Sequence, residues 1–363
     1  MNAKLILEGL IELGVSLLTG FLVFFSSLKI FMLLTRSLEE ETELKKNNTA
    51  VALVLGAFVL ALVLIVSSAV APAMDTLKVV LNEESIEIGA LLLALLRIVL
   101  MYVISGIVAL IVLWLAIALY TGLTTKVDEM AELKKNNQAV GLIFATFIFS
   151  AGFLCSEPLT TILNSLVAPP QLSYAVVQIA FINTATLLQG LLELPLALLG
   201  TIVVFILGIK LSDLLTLRIK EAEEIKQNNL AAAIYTAAII LSVVLLVQAS
   251  LAPSYLVLGK ILAAEQRDVG EILLALGRIV LFFIGSALVA LLLLRLALWL
   301  FMLLTRKIDE MGELKKNNVA VAILLAVVTV AIAILVKHGM QVVLEGFAVQ
   351  AQPMSSIPIL KVK

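Results

Sequence analysis

One six-residue motif recurs four times along this chain of 363 residues. It consists of glutamate, an aliphatic residue, lysine, lysine or glutamine, and two asparagines, and it occupies residues 43–48, 132–137, 224–229 and 313–318. The first asparagines of successive copies are 89, 92 and 89 residues apart. Because each copy interrupts a long apolar stretch at a nearly constant spacing, the motif indicates that one structural unit has been copied four times.

The composition of the chain places this repeated unit in a membrane. Hydrophobic residues make up 62% of the chain and charged residues only 14%, and the mean hydropathy is +1.15. A chain with so little polar surface needs lipid as its solvent. Residues 49–74, 98–125 and 230–259 contain no Asp, Glu, Lys or Arg. Each run exceeds the roughly 20 residues that span a bilayer as a helix, and such continuous runs favour helices over barrel strands.

Each unit contains sequence for two membrane-spanning helices, one before the motif and one after it. The predicted helices cover residues 7–34 and 47–70, 88–120 and 137–155, 187–211 and 229–249, and 271–304 and 318–336. The expected fold is therefore an all-α polytopic membrane protein with about eight transmembrane helices. Since two spans return the chain to its starting side, all four motifs are expected on one side, which makes the repeats parallel.

The motif is predicted to form the first turns of the second helix, because Glu, Leu and Lys favour helix and no Pro or Gly interrupts it. Glu43 precedes Lys46 and Asn47 by three and four residues, so these side chains are expected to share a helix face. The candidate residues of the four motifs are Glu43, Lys45, Asn47, Asn48, Glu132, Lys134, Asn136, Asn137, Glu224, Lys226, Asn228, Asn229, Glu313, Lys315, Asn317 and Asn318.

A second symmetry relates the two halves of the chain. A shift of 181 residues carries Glu12 onto Glu193 and Lys29 onto Lys210. Units one and three are therefore alike, and so are units two and four. We expect two halves, residues 1–181 and 182–363, related by a pseudo-two-fold axis. Their repeats cover about residues 1–78, 79–181, 182–259 and 260–363.

The two-helix membrane repeat with a Glu-Leu-Lys-Lys-Asn-Asn-like motif at the start of its second helix resembles the bacterial domain-of-unknown-function family 350. The resemblance covers nearly the whole length as a four-copy member, with departures at Ile225 and Gln227 in the third motif. It implies a bacterial inner-membrane protein, and it brings no established activity and no catalytic residues. Some members of the family resemble companions of envelope-stress proteins.

The distribution of basic residues predicts the orientation of the chain. Fifteen Lys and Arg lie on the motif side of the apolar segments, nine lie at the opposite ends, and Arg295 lies within a span. Basic residues concentrate in cytoplasmic loops. The motif loops are therefore expected in the cytoplasm, with both termini outside, although the same loops also carry fourteen acidic residues.

Five charged residues within apolar sequence form a candidate polar path: Glu12, Lys29, Glu193, Lys210 and Arg295. A charge at the bilayer centre costs about 2.5–3.5 kcal/mol on insertion scales, so each needs a reason. One interpretation is an inward-facing set that lines a route for a solute or pairs across the axis. The other is that these side chains reach for the membrane interfaces, since Glu12 and Lys29 are about 25 Å apart along a helix.

The paired asparagines also allow two interpretations. Asparagine carries both donors and an acceptor, and it can hydrogen-bond a neighbouring helix in a membrane. Four pairs at equal depth would form a polar collar around the axis, which would be the mouth of a pore. Alternatively, and in our view preferably, the asparagines lock the helical hairpins together where the membrane begins.

The remaining composition argues against an enzyme. The chain has one histidine, His338, and one cysteine, Cys155, so no zinc cluster can be assembled. No phosphate loop, nucleophile elbow or dinucleotide fingerprint occurs. No cofactor is expected, and a net charge of −1 gives no attraction to nucleic acid. The expected partners are the lipid bilayer and a cytoplasmic protein, with the oligomeric state left open.

Two functions follow from these features. The first is a channel or transporter for an ion or small solute, favoured because buried charges recur in register. The alternative is a non-catalytic membrane scaffold that docks a cytoplasmic protein, such as an envelope-stress partner, through the repeated Glu/Lys/Asn face.

Overall fold

The computed structural model describes residues 9, 10, 13, 14, 17, 18, 21, 40–81, 88–124, 128–167, 182–216, 221–264, 269–305 and 308–350. Every element of regular structure in the continuous segments of this set is an α-helix. In chain order the helices are α1 (Glu40–Lys45), α2 (Thr49–Ser67), α3 (Val70–Leu81), α4 (Ile88–Leu123), α5 (Glu129–Lys134), α6 (Gln138–Asn164), α7 (Thr184–Thr216), α8 (Glu221–Lys226), α9 (Leu230–Ala263), α10 (Val269–Leu304), α11 (Glu310–Lys315) and α12 (Val319–Gln350).

Seven stretches of the described residues are long and apolar enough to cross a membrane. They are Thr49–Val80, Ile88–Leu123, Gln138–Asn164, Thr184–Leu214, Leu230–Ala263, Val269–Leu296 and Val319–Val343. The chain is therefore an all-α, multi-pass membrane protein. The predicted span at residues 7–34 lies outside the described residues except for single positions. The second helices of repeats two, three and four are longer than predicted, and α6 continues past Cys155 and through Pro158 to Asn164. In repeat one, α2 instead ends at Ser67, before the predicted bound at residue 70.

The helices form two layers. The helices that follow the motifs, here called the inner helices, pack side by side in the order α2, α6, α9, α12. The helices that precede the motifs, here called the outer helices, each lie against two consecutive inner helices: α4 against α2 and α6, α7 against α6 and α9, and α10 against α9 and α12. The inner row is therefore open, with α2 at one end and α12 at the other.

Close contact between backbones holds the first two inner helices together. A Cβ atom at Gly141 of α6 would lie 2.8 Å from the carbonyl oxygen of Ala50 on α2. About three helical turns further along, a Cβ atom at Gly152 would lie 2.7 Å from the Cα atom of Ala61. Small residues on both sides permit this approach, which is how helices associate where lipid removes the hydrophobic drive.

An aromatic cluster fills the space between the layers. Tyr120 of α4 stacks on Phe144 of α6, with ring centroids 4.4 Å apart and planes 8° apart. Phe205 of α7 packs edge-on against Phe147 at 4.9 Å. Offset and edge-to-face pairs each add about 0.5–1.5 kcal/mol to the burial of their area. The cluster fixes the outer helices α4 and α7 to the inner helix that they share.

The helix bounds follow the predicted shift of 181 residues. Helix α4 begins at Ile88 and ends at Leu123, and α10 begins at Val269 and ends at Leu304. The same shift relates α1 to α8 and α5 to α11. A two-fold axis that is complete within one chain would also bring α12 against α2, but these helices lie at opposite ends of the row.

Candidate functional site

The first asparagine of each motif ends the short motif helix in a left-handed conformation. The φ angles of Asn47, Asn136, Asn228 and Asn317 are 60°, 58°, 61° and 61°. Asparagine tolerates this conformation better than other residues that carry a Cβ. The motif therefore forms a separate helix of six residues, α1, α5, α8 or α11. The prediction that it forms the first turns of the second helix is wrong, because two consecutive asparagines break the helix despite the good helix formers before them.

The second asparagine begins the inner helix and binds the motif glutamate. In the first repeat, Asn48 accepts a hydrogen bond from the Val51 backbone N–H at 3.1 Å, which caps α2. Its Nδ2 atom donates to the Glu43 carboxylate at 2.8 Å. Lys46 donates to the other carboxylate oxygen at 2.7 Å. Glu43 therefore contacts Lys46, as predicted, but its asparagine partner is Asn48 and not Asn47.

The asparagines also join each repeat to the next. The Nδ2 atoms of the second asparagines donate to main-chain carbonyl oxygens of the following motif, in the pairs Asn48–Leu133, Asn137–Lys226 and Asn229–Leu314, at 2.8, 3.2 and 3.0 Å. The Oδ1 atoms of the first asparagines accept backbone N–H groups of the preceding inner helix, in the pairs Asn136–Ala50, Asn228–Ala139 and Asn317–Ala231, at 3.1, 3.2 and 2.9 Å. These bonds, here called the asparagine ladder, place all four motifs at one end of the molecule.

The ladder favours the packing interpretation of the asparagines. It follows the open inner row from repeat one to repeat four and does not encircle a pore in the described part of the chain. Each bond across it satisfies a buried donor or acceptor at a helix end, where an unmade bond is costly. The asparagines therefore fix the lateral register of adjacent repeats.

A buried glutamate closes the hairpin in repeats two and four. Glu129 of α5 and Glu310 of α11 are both buried. Each accepts a hydrogen bond from a hydroxyl at the end of the outer helix before it, Thr124 or Thr305. Burial raises the pKa of the Glu129 carboxyl above its usual range. Sequence reasoning missed this contact, although the same five-residue spacing occurs in both repeats.

The motif carboxylates predict a dependence of stability on pH. Hydrogen bonds from Lys135 and then Asn137 lower the pKa of Glu132 below its usual range. A carboxylate with a lowered folded-state pKa stabilises the fold above its unfolded pKa of about 4.3, and this contribution disappears as pH falls through the folded-state value. We expect Glu132→Gln to lower stability by about 0.5–1 kcal/mol near pH 7. The difference from wild type should vanish in acid.

Thermal unfolding of the purified protein in detergent, followed by helical circular dichroism between pH 3 and 8, measures this effect. Glu41→Gln, at an exposed position of the motif helix α1, serves as the control for loss of a surface charge. A difference between Glu132→Gln and wild type that is the same at every pH would contradict the prediction.

The candidate polar path is only partly described by the structure. Glu12 and Lys29 lie outside the described residues. Glu193 on α7 is fully buried, whereas Lys210, on the same helix, and Arg295 on α10 are exposed. Glu193 and Lys210 are seventeen residues apart, or about 25 Å along the helix. The structure therefore brings Glu193 into the protein interior and places the other two described residues at its surface.

Glu193 occupies a polar site between α6, α7 and α9. Gln189, one turn earlier, donates its Nε2 atom to Glu193 Oε1 at 2.7 Å and to the carbonyl oxygen of Tyr255 on α9 at 3.1 Å. Thr161 of α6 lies beside the same carboxylate. Glu193 Oε2 is buried and has no hydrogen-bond partner among the described residues. Oε2, with the Thr161 hydroxyl beside the carboxylate, is thus the oxygen at which a ligand or a proton would bind.

Gly259 of α9 makes room for the glutamine of this site. A Cβ atom at Gly259 would collide with the amide group of Gln189. The glycine therefore allows Gln189 to reach both Glu193 and Tyr255. The position of the buried carboxylate depends on this close packing of α7 against α9.

A second acidic residue lies near Glu193, toward the end of α6. The carboxylates of Glu157 and Glu193 lie close enough to repel each other when both are charged. Glu157 is also close to the positive charge of Lys337 on α12. Lys337 donates to Gln248 Oε1 on α9 at 2.8 Å and lies 5.9 Å from the ring centre of Phe153. Glu157 follows the start of α6 by nineteen residues, so the site is about 28 Å from the asparagine ladder. We call Glu157, Gln189, Glu193, Tyr255 and Lys337 the carboxylate site.

Sequence reasoning found only Glu193 of these residues. Gln189 and Glu193 are four residues apart and thus share a helix face. This spacing was the one feature of the sequence that could have identified Gln189 as a partner of Glu193. Glu157, Gln248 and Lys337 come from three different helices. Only the tertiary structure brings them to the same end of the bundle.

Comparison with known families agrees with the repeated architecture. The family described as Domain of Unknown Function (DUF350) matches residues 5–105, 94–188 and 185–340. The chain belongs to this family. The three DUF350 segments contain all four copies of the motif, so the resemblance predicted from the motif is confirmed. No curated protein and no solved structure matches the chain.

Proposed function

We propose that this DUF350 protein transports protons or another small monovalent cation across a bacterial inner membrane, with Glu193 as the binding carboxylate. The observation that carries the proposal is the environment of this side chain. Glu193 lies within a candidate membrane span and is completely buried, and Oε2 has no hydrogen-bond partner among the described residues. Ionisable groups inside membrane segments are expensive and typically mark ion or proton pathways.

The neighbours of Glu193 support a cation as the ligand. Glu193 Oε2, the Thr161 hydroxyl beside the carboxylate and the carbonyl oxygen of Tyr255 are oxygen ligands, which hard cations prefer. A proton would neutralise the same carboxylate and remove the cost of a buried charge. Because Gln189 holds Oε1 in place, the ligand would bind at Oε2.

Glu157 and Lys337 support a route from the site to one membrane surface. Both side chains are half-buried at the end of the bundle away from the asparagine ladder. Glu157 would pass a cation or proton to Glu193, with the positive charge of Lys337 close by. The excess of Lys and Arg at the motif end supports a cytoplasmic location for that end by the positive-inside rule. The carboxylate site would then be close to the outer surface, and both chain termini would lie outside.

Flux through liposomes that contain the purified full chain tests the proposal. Vesicles carry a dye that reports internal pH, or one that reports sodium, and a potassium diffusion potential drives cation entry. We expect influx above that of empty liposomes for the wild type. Glu193→Gln should reduce it to the level of empty liposomes, because the amide cannot release a proton or neutralise a cation. Glu12→Gln combined with Glu193→Gln should not reduce it further.

Asp75→Asn is the matched control. It removes a carboxylate from α3, where Asp75 is exposed beside Lys78, and wild-type flux is expected. Equal flux for wild type and Glu193→Gln would contradict the role of the carboxylate site. No flux for any variant, with each folded, would contradict transport of both tested cations.

The asparagine ladder favours a second candidate function, a scaffold for a cytoplasmic protein. The first lysine of every motif is exposed, at Lys45, Lys134, Lys226 and Lys315. The ladder spaces these lysines regularly along one edge of the molecule, as a surface for an acidic partner would require. Neither function involves covalent chemistry on the ligand. An absence of cation flux would leave the scaffold as the favoured function.

A further inference from the structure

The inner row ends in two helix faces that no further inner helix covers among the described residues of one chain. In the most apolar stretch of both α6 and α9, the central inner helices, 78% of the residues are buried. The corresponding values are 44% for the stretch containing α2 and 22% for α12. Each end helix has an inner neighbour on one side only.

The exposed faces correspond to buried faces at the centre of the row. The shift of 181 residues relates α6 to α12 and α2 to α9. On α12, Leu335 is 79% exposed, whereas its counterpart Leu154 on α6 is 2% exposed. On α2, Val63 is 39% exposed, whereas Val244 on α9 is 1% exposed.

Several further positions follow the same pattern. The exposed residues Ala320, Leu324, Val327 and Ala331 lie on one face of α12, and their counterparts Ala139, Ile143, Thr146 and Ser150 on α6 are buried. The exposed residues Ala52 and Gly56 of α2 correspond to the buried residues Ala233 and Ala237 of α9. Helix α6 buries one face against repeat three, and α9 buries one face against repeat two. The equivalent faces of α12 and α2, at the two ends of the row, are therefore exposed.

The asparagine ladder ends at the same two places. Asn318 belongs to the last motif and Asn47 to the first, so neither has a further repeat beyond it in the row. Ile225, the counterpart of Leu44 at the junction of α6 and α9, is half-buried, whereas Leu44 is 41% exposed. A donor at one end of the row thus corresponds to an acceptor at the other.

We propose that α12 of one copy of this chain packs against α2 of a second copy and reproduces the junction between α6 and α9. Asn318 would donate to the carbonyl oxygen of Lys45 of the second copy, as Asn137 does to Lys226. The N–H group of Ala320 would donate to Asn47, as Ala139 does to Asn228. The contact is heterologous, since two different surfaces meet, so it builds a ring or a longer row.

Disulfide crosslinking between two differently tagged copies tests this contact. Cys155 is the only cysteine, so Cys155→Ser provides a background without thiols. One copy carries Ala320→Cys and the other carries Asn47→Cys. We expect mild oxidation in membranes to link the two tags. Pairing Ala320→Cys with Trp114→Cys, an exposed position on outer helix α4, should give no crosslink.

The mass of the unlinked protein gives a second measurement that needs no cysteine at a motif position. Light scattering in mild detergent and in lipid nanodiscs should give at least twice the chain mass of 39.0 kDa. Ala331→Trp should reduce it to one chain, because a large side chain blocks the contact. Ala118→Trp, at an exposed alanine on α4, should keep the wild-type mass. A wild-type mass of one chain in nanodiscs, or no crosslink between correctly folded copies, would overturn the proposal and leave lipid as the occupant of both faces.

Discussion

Gly152→Ala is expected to destabilise the protein by about 1–3 kcal/mol, the usual cost of overpacking. The added Cβ atom would lie 2.6 Å from Ala61 Cβ and 2.7 Å from Ala61 Cα. Neither atom belongs to a flexible side chain that could move aside. Helices α2 and α6 must therefore separate, which weakens their packing along the whole contact. The measurement is the midpoint of thermal unfolding in detergent.

Two variants make this prediction specific to the helix contact. Gly106→Ala on α4 meets no atom within 4 Å of the added Cβ and should keep or slightly raise the midpoint, because alanine favours helix. Combining Gly152→Ala with Ala61→Gly removes the close contact with Ala61 Cβ and leaves that with the Cα atom, so it should restore part of the loss. If the double variant is as unstable as the sum of its parts, close approach at this position is not the cause.

Asn136→Val is expected to have the second large effect, about 2–5 kcal/mol. A β-branched residue in the left-handed region costs about 1–2 kcal/mol. The substitution also removes the Oδ1 atom that accepts from the Ala50 N–H at 3.1 Å and from the Thr49 hydroxyl at 3.0 Å. The unsatisfied N–H at the buried start of α2 adds about 1–3 kcal/mol. The same thermal midpoint measures the sum.

The four repeats supply internal controls for the two causes. Asn136→Gly keeps the backbone conformation and removes only the side-chain bonds, so it should be less damaging than Asn136→Val. Asn47→Val has the same backbone strain at φ 60°, but it lies at the open end of the row and has no preceding repeat to lose. Equal losses for Asn47→Val and Asn136→Val, both measured in the Ala331→Trp background that keeps the chain monomeric, would show that the ladder contributes nothing.

Much of the architecture was predictable because lipid imposes simple rules on sequence. Uninterrupted apolar runs of the right length specify spanning helices. The four motifs predicted parallel repeats, and their hydrogen bonds along one end of the row agree with that prediction. The break in the helix at Asn47 and Asn48 was not predicted. The helix propensities of the preceding Glu, Leu and Lys are high, and a prediction based on them neglects the preference of asparagine for the left-handed conformation.

The candidate site was less predictable than the fold. Glu193 was identified because a charge in an apolar run is conspicuous, but Lys210 and Arg295 were equally conspicuous and are exposed. A sequence records which residues share a helix, and it does not record which face of that helix meets another. Glu157 and Lys337 were missed because they follow the ends of the predicted spans, which α6 and α12 extend.

The sequence alone determined that this chain crosses the membrane as repeated helical hairpins, since apolar length and the spacing of identical motifs are properties of the chain itself. The tertiary structure decided which residues of those hairpins meet. It placed the inner helices in an open row, directed Glu193 into the interior and left the outer faces of α2 and α12 exposed. Packing selects these arrangements, because lipid accepts every apolar face equally and only contacts between small residues and between asparagines distinguish one neighbour from another.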